Sequence, residues 1–105
     1  MLDENLCNAI IEQQGNLLYT TLSEECSEVI QACSKITRKK FYNEEFDIDN
    51  LLEEIGDLEI NLYLIKKQLS KEPTLKDKWS EEKINQEIEN WQQKKFEKLN
   101  KIFLK

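Results

Sequence analysis

Apolar residues recur along this chain at three- and four-residue intervals, and four segments carry that helical pattern. The first runs from Glu4 to Gln14, with Leu6, Ala9 and Ile10 on its apolar side and Leu17 as an extension of it. Gly15 either ends that helix or sits within a longer one. The second runs from about Leu17 to Lys39 on a stripe of Leu18, Leu22, Cys26, Val29, Ile30, Cys33 and Ile36. Its basic end, Lys35, Arg38, Lys39 and Lys40, suits the negative pole of a helix. Residues 41–49 have no clean period and read as a connector, and Asp47 or Asp49 caps a third helix running to about Leu69. That helix carries Leu51, Ile55, Leu58, Leu62, Ile65 and Leu69. Lys71-Glu72-Pro73-Thr74 breaks the pattern. Ser80, with Glu81 and Glu82 behind it, opens a fourth helix bearing Ile84, Ile88, Trp91, Phe96, Leu99 and Phe103. The expected fold is all-α, a four-helix bundle subunit formed by one domain over residues 1–105.

Composition narrows this picture. Two glycines and one proline in 105 residues are too few turn formers for an all-β fold. A chain of this size buries only about two-thirds of its unfolded surface. Its several apolar stripes therefore lead us to expect a homodimer or homotetramer. There is no apolar run of about 18 residues to cross a membrane. The acidic start, Asp3-Glu4-Asn5, lacks the layout of a secretory signal, so a cytoplasmic protein is expected. Cys7, Cys26 and Cys33 show no CxxC spacing and read as small buried hydrophobes. Histidine is absent, which excludes Ser-His and Cys-His nucleophile pairs and His-rich zinc sites. Net charge is −6, unevenly spread: residues 1–65 carry 4 basic and 14 acidic side chains, residues 66–105 carry 11 and 7. So acidic a front half repels duplex nucleic acid, whose binding depends on neutralising phosphates.

Within that acidic half, Leu22-Ser23-Glu24-Glu25-Cys26-Ser27-Glu28-Val29 and Leu51-Leu52-Glu53-Glu54-Ile55-Gly56-Asp57-Leu58 share one layout, Leu-x-Glu-Glu-x-x-acid-apolar. Three residues along a helix turn through about 300°, so Glu25 and Glu28 share a face, as do Glu54 and Asp57. On a helical wheel each pair falls at the border of its apolar stripe, where charge is costly unless compensated. Two such helices packed antiparallel bring four carboxylates together. An oxygen-only set of this kind selects a hard cation, Mg²⁺ or Mn²⁺. Asn61, one turn beyond Asp57, falls between the ligand directions, where an uncharged amide suits a metal-bound water or a substrate oxygen.

Glu24-Glu25-x-x-Glu28, 25 intervening residues, then Glu54-x-x-Asp57 resembles the EExxE…ExxD signature of the MazG-like all-α nucleoside triphosphate pyrophosphohydrolases, small phage-type members in particular. The resemblance covers about residues 17–69. It implies a four-helix, oligomeric, Mg²⁺-dependent enzyme that cleaves a nucleoside triphosphate, ribo or deoxy, to the monophosphate and pyrophosphate. Carried over by position, it makes Glu25, Glu28, Glu54 and Asp57 the metal ligands. Glu24 then supports them or adds one more ligand, and either Glu24 or a ligand such as Glu25 orients the attacking water. Gln93-Lys94-Lys95-Phe96-Glu97-Lys98-Leu99-Asn100 keeps only part of the family's Asn-x-Lys-Phe-x-Arg-Arg-Phe-like stretch. That part gives Lys95 and Lys98 as phosphate-binding candidates. The lost asparagine and second arginine favour an alternative, an inactive MazG-like module that binds nucleotide or protein. Tyr19, Phe41, Tyr42, Trp79 and Trp91 are the available stacking surfaces, of which Trp91 reads as core and Trp79 and Tyr42 as pocket candidates.

Overall fold

A computed structural model describes residues 3–75 and 77–104. Among them are four helices and no strand: α1 (Glu4–Gln14), α2 (Leu17–Phe41), α3 (Asp49–Lys71) and α4 (Glu81–Phe103). The helix ends follow local chemistry. The Asp3 carboxylate accepts the Asn5 N–H at 2.9 Å to cap α1. Gly15 ends that helix in a left-handed conformation (φ 51°), its N–H bonded to the Ile11 carbonyl. A side chain at φ > 0 is strained, and glycine is not. At the far end of α2, Asn43 takes a positive φ of 55° while the Glu44 N–H reaches back to the Lys39 carbonyl at 2.8 Å. Asp47 accepts from Asp49 N–H at 2.6 Å where α3 begins, which decides between the two cap candidates. Ser80 Oγ accepts the Lys83 N–H at 3.1 Å at the start of α4.

The chain forms two compact units, meeting in sequence between Ile65 and Lys66. In the first, α1 packs on α2, and a core of Cys7, Ile11, Leu18 and Leu64 is bordered by Ile10, Tyr63 and Ile65. In the second, Lys67 at the end of α3 holds Glu81 at the start of α4 at 3.1 Å. An apolar hollow of about 280 Å³ opens there between Leu69, Leu75, Trp79, Ile84, Ile88 and Trp91.

Four expectations about burial are corrected. The fully buried positions of α1 are Cys7 and Ile11, which meet Leu18 and Leu64; Ile10 packs against them half-buried, whereas Leu6 is 49% exposed. Leu17, read as an extension of that face, is exposed as well. Of the cysteines only Cys7 is buried. Cys26 and Cys33 are exposed on α2, where Cys33 lines an open groove with Val29, Ile30, Phe41 and Tyr42. Trp91 is 67% exposed, with Lys94 Nζ 4.7 Å from its ring centre, and is a surface residue.

Candidate metal centre

The acidic faces of α2 and α3 meet in the first unit. Glu25 and Glu54 are half-buried, as their place at the stripe border requires. One carboxylate oxygen from each of Glu25, Glu54 and Asp57 lies within 4.8 Å of the others. The Glu28 carboxyl, exposed on the same face of α2 as Glu25, is hydrogen-bonded to the carboxyls of Glu54 and Glu25. Carboxyl groups held this close repel one another when all are ionised.

That repulsion marks where positive charge is wanted. The hydrogen bond from Glu28, then burial, then the charges of Glu28, Asp57 and Glu25 push the Glu54 carboxyl up to about 7. Burial first, followed by the charges of Glu28 and Asp57, the Glu28 hydrogen bond and the Glu24 charge, also raises Glu25. Like charges held close and partly desolvated cannot all ionise without a cation. The Oε2 atoms of both Glu25 and Glu54 are shut off from solvent with no hydrogen-bond partner among the described residues. Such orphaned oxygens are rare in folded proteins and call for an explanation. A divalent cation would supply one. The donors are all carboxylate oxygens, so the residues present fit Mg²⁺ or Mn²⁺ and lack the nitrogen and sulfur of zinc sites.

Other expected site residues fall as follows. Glu24 is exposed beside Glu25 and contributes charge to it. Asn61 is half-buried one turn beyond Asp57, with its Nδ2 donating to the Asp57 carbonyl at 2.9 Å. One amide N–H is thereby used within its own helix, and Oδ1 and the second N–H remain for a ligand. Lys95 and Lys98 are exposed on α4, in the second unit. Among the stacking candidates, Tyr42 is exposed with its ring edge-on to Phe41 at 5.1 Å, and Trp79 is half-buried with Lys83 Nζ 5.0 Å from its ring centre.

One element of the site was not read from the sequence. A cleft of about 230 Å³ lies between the second half of α2 and the start of α3, lined by Ala32, Lys35, Ile36, Lys39, Phe46, Asp47, Asn50 and Leu51. Its signal in the chain is faint: Ala32 follows Glu28 by one turn and Asn50 precedes Glu54 by one turn. No protein-family model matches the chain, and no curated protein or solved structure matches it either.

Proposed function

We propose that this protein is a MazG-like, Mg²⁺-dependent nucleoside triphosphate pyrophosphohydrolase, with Mn²⁺ able to replace Mg²⁺. The observation that carries the proposal is the convergence of Glu25, Glu54 and Asp57 within 4.8 Å, with solvent-excluded oxygens on two of them. In the reaction water adds to the α-phosphorus, the α–β bridging bond breaks, and its electron pair leaves on pyrophosphate. The bound cation would neutralise charge on the phosphates and lower the pKa of a water. Glu25, Glu28, Glu54 and Asp57 would hold it. Glu24, or a ligand carboxylate such as Glu25, would accept the proton of the attacking water. Asn61 lies on the same face to orient a phosphate oxygen, and Lys95 and Lys98 are proposed as further phosphate contacts.

Pyrophosphate release measured over a panel of ribo- and deoxyribonucleoside triphosphates tests this reading. Release with Mg²⁺ and none with EDTA is the expected result. Silence across the panel from folded protein overturns it and leaves the inactive binding module.

Association of copies into a homodimer or homotetramer belongs to the same proposal. Ile30 and Phe41 on α2 and Tyr42 just after it are 64%, 78% and 64% exposed, and Phe96 and Phe103 on α4 are 57% and 75% exposed. Apolar exposure on this scale marks contact surfaces. Light scattering is expected to give the mass of two or four chains; a single-chain mass at micromolar concentration rejects the assembly.

No helix among the described residues is long and apolar enough to cross a membrane.

A further inference from the structure

Lys35 and Lys39 do not behave as the cations of an acidic surface. Residues 1–65 carry 14 acidic side chains against 4 basic ones, yet among the described residues neither lysine is in an ion pair. Both line the cleft between α2 and α3 instead. The favourable interaction of cations with a helix C-terminus is confined to the last turn, and covers Lys39 but not Lys35. The two lysines also border a second hollow of about 270 Å³ with Arg38, Tyr42 and Glu44, so three cationic side chains face one acidic one at this end of the α2–α3 seam.

The acidic centre lies at the other end of the same seam. Ala32 is four residues after Glu28 and Leu51 is three before Glu54, so the cleft begins about one helical turn, roughly 5 Å, from the carboxylates. Cα–Cβ bonds on a helix tilt towards its N-terminus. Lys39 therefore starts out towards Lys35, and Lys35 towards Glu28. A ligand laid along this seam meets carboxylates, which accept it only through a cation, and then two ammonium groups. A chain of phosphates is anionic along its whole length and fits both ends. Lysine serves such a ligand as a point charge with three donors.

We propose that Lys35 and Lys39 bind the terminal phosphates of the substrate, the part that departs as pyrophosphate, while the α-phosphate sits over Glu25, Glu54 and Asp57. This rests on the pyrophosphohydrolase reading for the carboxylate end only; the cleft is tested separately. Ammonium groups on the β- and γ-phosphates stabilise the charge that grows there as the α–β bond breaks. Phe46, Asp47 and Asn50 form the opposite wall, and the two ammonium groups outnumber the one carboxylate among the cleft's charged side chains.

The test is calorimetric titration of the full chain with inorganic pyrophosphate, in Mg²⁺ and in EDTA, with an unphosphorylated nucleoside alongside. Wild type is expected to bind pyrophosphate and not the nucleoside, with binding that weakens as salt rises. The Lys35→Gln/Lys39→Gln variant is expected to bind at least tenfold more weakly, and Lys35→Arg/Lys39→Arg to restore binding. Mn²⁺ binding followed by electron paramagnetic resonance is expected to be equal in wild type and the glutamine variant. Pyrophosphate affinity unchanged in the glutamine variant, or no pyrophosphate binding by wild type in either condition, overturns the assignment. Absent Mn²⁺ binding in wild type overturns the metal centre instead, and the EDTA titration still decides the cleft.

Discussion

Glu54→Gln is expected to abolish Mg²⁺-dependent pyrophosphate release while leaving the helices intact and the melting temperature equal to wild type or higher. The two halves of this result have one cause. Glu54 sits among Glu25, Glu28 and Asp57 with its Oε2 out of solvent and unpartnered. Without a cation its charge opposes folding, so an uncharged amide of the same shape relieves repulsion. With a cation the same carboxylate is a ligand, and an amide is a much poorer one. Residues that merely support metal ligands carry about 10–100-fold in affinity or activity, so loss of a ligand should exceed that range. Lys35→Gln/Lys39→Gln gives the contrast: it should raise KM and lower turnover while Mn²⁺ still binds. Turnover rates and circular dichroism on the same preparations separate the outcomes. Full activity in Glu54→Gln would remove it from the metal site, and loss of helicity would make it a structural residue.

Much of this site is legible in the sequence because helix geometry converts spacing into direction. Glu25 and Glu28, and Glu54 and Asp57, are three residues apart at the border of apolar stripes, and the structure brings Glu25, Glu54 and Asp57 together with Glu28 hydrogen-bonded to two of them. Cap chemistry places the start of α4 at Ser80 equally well, while the role of Gly15, open in the sequence, is decided by its positive φ at the end of α1. Periodicity is weaker on burial. It marks a stripe without saying which edge of the stripe another element of the same chain will cover. On α1 the fully buried positions are Cys7 and Ile11, with Ile10 packed beside them and Leu6 left exposed. On α2 the edge with Ile30 and Cys33 stays open as a groove, and on α4 Trp91 stays at the surface. The cleft was harder still. Phe46 and Asp47 come from a connector without any period, and their return towards Ala32 and Lys35 depends on the turn at Asn43 and the Asp47 cap. Lys39 satisfies a simpler rule, a cation in the last turn of a helix, and that rule hides what it lines together with Lys35.

The carboxylate centre also sets the sign of the protein's response to pH. In the metal-free protein Glu54 is raised from 4.5 to about 7, and Glu25 is raised as well. A carboxyl whose pKa rises on folding favours the folded state while it holds its proton. Its contribution is complete below about pH 4.5 and is lost as pH climbs through about 7. In EDTA the melting temperature should therefore fall between these values, the opposite of the gain expected from a carboxylate in a salt bridge. Divalent cations compete with that proton, so Mg²⁺ or Mn²⁺ should stabilise little at pH 5 and strongly at pH 8. At a hundred times its Kd a bound ion stabilises by about 2.7 kcal/mol, on the order of 10 °C for a chain of this length. Thermal melts followed by tryptophan fluorescence at both pH values, with EDTA and with each metal, give the comparison directly. Glu54→Gln should flatten both the fall in EDTA and the gain with metal. A melting temperature that ignores Mg²⁺ and Mn²⁺ at pH 8 would return Glu25, Glu28, Glu54 and Asp57 to an acidic helix seam without a cation.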